Sequence, residues 1–122
     1  MNQGQKVNSM NIRKALIVLL LSASLPAAAQ FTVITHGYEI ALRNFQVPTT
    51  ANSGISFKEC DDCEQIRLRV NPDTRYSVNG KTVRLEQFRK VLLQARDRDN
   101  PTVVVSHHLE SDKVVSISVT HI

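Results

Sequence analysis

The chain reads as an α+β protein, with a mainly antiparallel sheet, one amphipathic helix (about 85–96) packed on one face, and a C-terminal β-hairpin. Three observations predict this class. Between Ile55 and Val83 apolar residues recur with period two, punctuated by turn residues. The period then becomes helical: Leu85, Phe88, Val91, Leu92 and Ala95 share one face, while Glu86, Arg89, Lys90 and Arg96 lie elsewhere. From Val103 to Leu109 and from Val114 to Thr120 the pattern returns to strands around a Ser111-Asp112 turn. Strands, one helix and a closing hairpin suit a sheet with its helix segregated to one side.

Each element has a local reason. Phe31, Val33 and Thr35 alternate with Thr32, Ile34 and His36; Gly37 interrupts, and Tyr38, Ile40 and Leu42 resume. One or two strands, kinked or bulged near Gly37, are expected. Asn44 to Gly54 is a loop by composition, with room for a short edge segment at Phe45 and Val47. Ile55 to Lys58 alternates, Cys60 to Cys63 turns, and Ile66, Leu68 and Val70 alternate with Arg67 and Arg69 in a half-buried strand. Asn71-Pro72-Asp73 is a turn, because Pro fixes φ and its polar neighbours bond to local backbone. Asn79-Gly80 joins Arg75–Val78 to Lys81–Val83 as a hairpin, since both turn residues tolerate positive φ. Glu86 precedes Lys90 by four, a favourable helix-surface pair, and Asp97, Asn100 and Pro101 end the helix. In the last strand Val115, Ile117 and Val119 are expected to face the core and Ser116, Ser118 and Thr120 the solvent.

The first 29 residues are set apart by composition. Lys6, Arg13 and Lys14 precede an apolar run from Ala15 to Leu21, followed by Leu25-Pro26 and Ala27-Ala28-Ala29. A basic start, a short apolar stretch and an A-x-A site predict a signal peptide cleaved after Ala29, leaving residues 30–122 as one small domain in a bacterial periplasm. The run falls short of the about 20 residues a bilayer span needs, so no stable membrane anchor is expected. Removing the leader leaves twelve Lys and Arg against eleven Asp and Glu. A net charge so close to zero gives no electrostatic footprint for nucleic acid.

Cys60 and Cys63 are the only cysteines, in C-x-x-C spacing. In an exported protein two near thiols usually end as a disulfide. Glu59, Asp61, Asp62 and Glu64 surround them and disfavour a thiolate, which argues against a reactive dithiol. The alternative is a metal- or redox-handling site. A tetrahedral zinc centre would need two further ligands, for which His107 and His108 are candidates. Adjacent residues on a strand point to opposite faces, so at most one of the two could join the same ion. His36 and His121 depend on the strand order. Arg67 and Arg69 share the exposed face of their strand and are candidate contacts for a partner's carboxylates. The competing view is a solvated face, with cross-strand pairing to Glu59, Asp61 or Glu64 as a further option. No nucleophile elbow, glycine-rich phosphate loop or H-E-x-x-H pair occurs, and Ser106, His107 and Glu110 on one hairpin do not make a triad. Neither an enzyme nor a cofactor is expected.

Tyr76-Ser77-Val78-Asn79-Gly80-Lys81-Thr82-Val83, then Leu85-Glu86-Gln87-Phe88 and Pro101-Thr102-Val103-Val104-Val105, resembles part of the periplasmic domain of the ExbD/TolR family. That family has a strand, an Asn-Gly-type turn, a short strand, an amphipathic helix and another strand in similar spacing. The resemblance spans residues 76–105 and implies a small fold suited to partner contacts in the periplasm. Two departures stand out: the family keeps a transmembrane helix with a functional Asp, and the cysteine turn has no counterpart in it. Small size, the export signal, the absence of a catalytic constellation and several candidate edge strands make the expected function a non-enzymatic periplasmic domain that binds another protein or the cell envelope, by strand addition at its hairpin edges, with Arg67, Arg69 and the acidic cysteine turn setting specificity.

Overall fold

The computed structural model describes residues 34–122; the leader with its cleavage after Ala29, and the alternation of Phe31 with Val33, lie outside them. In chain order the elements are β1 (Thr35–Ala41), a 3-10 turn (Leu42–Asn44), β2 (Phe45–Gln46), β3 (Gly54–Phe57), β4 (Ile66–Arg69), β5 (Arg75–Val78), β6 (Lys81–Val83), α1 (Leu85–Gln94), β7 (Thr102–His108) and β8 (Lys113–Thr120). They form a five-stranded sheet in the order β1-β7-β8-β5-β6 and a three-stranded sheet in the order β2-β3-β4. Every pairing is antiparallel except β5 with β8. The α+β class holds, with its strands shared between two sheets. The β7–β8 hairpin lies inside the larger sheet, so among the described residues the open edges there are β1 and β6.

One apolar core joins these parts. Ile40, Val103, Val105, Ile117, Val119 and Tyr76 come from one face of the larger sheet, Ile55 and Phe57 from the smaller, and Phe88 and Leu92 from α1. The Phe88 ring sits 5.1 Å from Tyr76, and Phe57 sits 5.1 Å from Tyr38, so helix and small sheet cover the same face. Fully burying side chains of this size contributes about 1.5–3 kcal/mol each. The helix starts without a side-chain cap at Arg84. Past its end, the Arg98 guanidinium donates to the Leu92 carbonyl at 3.1 Å, giving a partner to one of the carbonyls a helix end leaves free. Among the described residues no helix is long and apolar enough to cross a membrane.

The structure departs from the sequence pattern in three places. No kink or bulge forms at Gly37, where β1 pairs with β7 in unbroken register. The irregularity lies instead in the β7–β8 pairing, which jumps from Ser106↔Ser116 to His107↔Val114. Val115 is the extra residue, so parity reverses: Val114 is buried and Val115, expected in the core, is 44% exposed. The helix ends at Gln94, two residues early. The Asn44–Gly54 loop follows the composition, with its short edge segment formed as β2, and it docks, with Val47 and Pro48 buried and the Arg89 guanidinium donating to the Pro48 carbonyl.

Candidate partner-binding edge of the small sheet

Strand β4 pairs with β3 on one side and, among the described residues, with nothing on the other. Its alternation sends Ile66 and Leu68 inward, leaving Arg67 and Arg69 exposed. The ladder also fixes where its backbone points. The Val70 amide donates to the Ser53 carbonyl at 3.0 Å, so the hydrogen-bonded pairs are 53/70, 55/68 and 57/66. The amides and carbonyls of Arg67 and Arg69 therefore face the open edge. Gln46, Ser56 and Arg67 stand in one cross-strand row, with the Ser56 hydroxyl donating to Gln46 Oε1 at 2.7 Å. With Gln65 and Thr49, and the apolar Val47, Ile55 and Leu68, they line an open groove of about 350 Å³.

Arg67 and Arg69 form the solvated face of their strand, and the further option of pairing with the acidic turn is not taken among the described residues. Among the described residues no ion pair includes Arg67, Arg69, Glu59 or Glu64. Asp61 is taken instead by Arg43, a residue the sequence pattern does not single out. The Arg43 guanidinium reaches Asp61 at 3.3 Å and Asp99 at 2.8 Å, and Asn44 donates to Asp61 at 3.1 Å. The Asn44 hydrogen bond, then the charge of Arg43, holds the Asp61 carboxyl below its ordinary range. The hydrogen bond to Asp99 and the charge of Asp61 raise Arg43 in turn. Arg43 thus ties the cysteine turn to the segment that follows the helix.

Cys60 and Cys63 lie at disulfide distance, Cα to Cα 5.0 Å, and the Cys63 amide donates to the Cys60 carbonyl at 3.2 Å. Their turn joins β3 to β4 in the small sheet. His107 and His108 end β7 in the other sheet and face opposite ways. His107 is buried, with Nε2 2.7 Å from Asp112; His108 accepts from the Ser111 amide at 3.2 Å through Nδ1. His36 is opposite His107 in the register and stacks edge-on against Tyr38 at 4.4 Å. His121 is exposed near the end of the chain, at φ 59°. Among the described residues no group of three or more His, Cys, Asp and Glu side chains is placed to hold a metal ion.

What the edge can do chemically is plain: two outward backbone donor–acceptor pairs and two guanidiniums lie within one four-residue strand. Comparison with known proteins finds no matching family model, no matching curated protein and no matching solved structure.

Proposed function

We propose that the chain is an exported, non-enzymatic binding domain of the bacterial periplasm whose β4 edge accepts an extended segment of another envelope protein. The observation that carries this reading is the coincidence on β4 of outward backbone groups and two guanidiniums without acidic partners among the described residues. An added strand takes up the backbone bonds, and its carboxylates at alternate positions meet Arg67 and Arg69 on one face. The partner is thus an acidic strand, of the form acidic-x-acidic. The likeness of residues 76–105 to ExbD/TolR periplasmic domains supports a partner-contact role, since that run supplies β5, β6, α1 and the start of β7.

Amide NMR with extended peptides tests the recognition. A peptide bearing Glu at alternate positions is expected to shift resonances from Gln65 to Val70, and a Lys-bearing peptide of equal length is not. The Arg67→Glu/Arg69→Glu double variant is expected to weaken binding by at least about tenfold, because like charges across a contact cost several kcal/mol. Shifts elsewhere on the surface with β4 silent would refute the site. Export is tested separately: the protein recovered from the periplasm is expected to start at Gln30.

A further inference from the structure

We propose that β1 is a self-pairing edge, through which two copies of this chain join β1 to β1, antiparallel, about a two-fold axis at Gly37. The ladder again fixes the backbone. The Leu109 amide donates to the Ile34 carbonyl at 2.7 Å, and the Leu42 amide to the Pro101 carbonyl at 3.1 Å. Even-numbered residues of β1 therefore bond β7, and Thr35, Gly37, Glu39 and Ala41 turn their amides and carbonyls to the open side. Thr35, Gly37 and Glu39 are exposed. The strand has seven residues and carries no proline and no bulge, the devices that usually blunt an edge.

Charge and register select a second copy as the occupant. With the axis at Gly37, Thr35 of each copy pairs with Glu39 of the other, and Gly37 pairs with Gly37, so outward groups meet outward groups. Glu39 is the only formally charged residue of the strand. It faces an uncharged threonine that can donate to it, and the two Glu39 residues fall about 14 Å apart by strand spacing, beyond the screening length of about 8 Å at physiological salt. On the other face His36 pairs with Tyr38, setting the existing His36–Tyr38 stack of one copy beside that of its mate. The other edges do not allow this. Any self-pairing of β4 sets arginine against arginine, while β2 has two residues and β6 three. The two long-range surfaces thus sort their occupants by charge: β4 excludes its own copy and takes an acidic strand, while β1 takes its own copy.

The test is sedimentation of the purified protein over a wide concentration range, together with three variants. A reversible dimer is expected. Gly37→Pro removes the donor at the axis without touching the β1–β7 ladder, since that amide points outward and a Cβ at Gly37 meets nothing within 4 Å. The symmetry doubles the loss, so dissociation is expected to become easier by about tenfold or more, with thermal stability unchanged when melts are read at concentrations where the protein is monomeric. Thr35→Glu, which sets carboxylate against carboxylate, is expected to weaken the dimer, and adding Glu39→Lys to it to restore the dimer. Gly37→Cys is expected to cross-link copies under oxidation. A protein that stays monomeric throughout, or a dimer indifferent to Gly37→Pro and to Thr35→Glu, overturns the proposal.

Discussion

Leu92 and Leu93 are neighbours on α1, yet the fold gives them opposite environments: Leu92 is 0% exposed and Leu93 is 61% exposed. Replacing each with alanine removes the same atoms from the same helix, so helix propensity nearly cancels between the two. Leu92→Ala empties a space enclosed by the helix and the larger sheet and is expected to cost about 2–5 kcal/mol. Leu93→Ala leaves nothing behind but water and is expected within about 0.5 kcal/mol of zero. Over the 89 described residues, total stability is on the order of 4–13 kcal/mol. The first change therefore removes a large fraction and the second almost none. Urea unfolding followed by far-UV circular dichroism measures both. With a slope of about 1–1.5 kcal/mol per molar, a 3 kcal/mol loss moves the midpoint by about 2–3 M. Equal costs, or a larger cost for Leu93→Ala, would mean that α1 docks by another face and would refute the core described above.

Three further outcomes follow from single contacts. The Asp61 carboxyl titrates below its ordinary value of 3.8, so its contribution to stability is full above that value and is lost as pH falls through the lower, folded-state value; the stability gap between the wild-type protein and Asp61→Asn is expected to close on acidification below about pH 4, read by thermal melts across pH. Tyr76 buries a hydroxyl with no protein partner among the described residues, so Tyr76→Phe is expected to be neutral or to stabilise by about 1 kcal/mol in the same urea assay. Cys60 and Cys63 are three apart in sequence, and closing so short a loop restricts the unfolded chain little; the Cys60→Ser/Cys63→Ser protein is expected to lose no more than about 2 kcal/mol.

Local chemistry was legible from the sequence, and long-range pairing was not. The change of period at Leu85 marks α1 because amphipathic spacing is a property of the segment itself. Asn79 and Gly80 occupy φ of 48° and 84°, the conformation that makes this dipeptide a hairpin signal. Val115 defeats the same logic. A bulge is a relation between two strands, and nothing in the alternation of β8 announces that β7 will slip by one residue against it. The parallel contact of β5 with β8 is hidden for the same reason, since it joins residues about forty positions apart. Arg43 was missed because its two acidic partners, Asp61 and Asp99, are distant in sequence and come together only when the turn and the helix exit meet. At the candidate site, the exposure of Arg67 and Arg69 could be read from period two. That they lie on an open edge, with backbone groups turned outward, required the sheet order.

The cysteine turn and the arginine pair look like separate features in the sequence, but in the fold the turn leads directly into the edge strand that carries the arginines. The turn connects Phe57 to Ile66 and so sets where edge strand β4 begins. Cys60 and Cys63 close it on itself, and Arg43 fastens Asp61 to Asp99 beyond the helix. Strand addition requires an edge held in register before the partner arrives, because ordering a loose strand on binding would consume about 0.5–1.5 kcal/mol per immobilised side chain. Both restraints brace the turn just before β4, at Cys60, Asp61 and Cys63. Arg43 also engages Asp61 elsewhere, so that this carboxylate does not compete for Arg67 and Arg69. If the turn serves the edge in this way, the Cys60→Ser/Cys63→Ser protein should bind the acidic peptide more weakly even where it remains fully folded. Amide exchange on Ile66 and Leu68, the β4 amides bonded to β3, should then quicken, while that of the β7–β8 hairpin stays as it was. Unchanged peptide affinity in the folded double variant would separate the two features again and leave the disulfide as a purely local clasp.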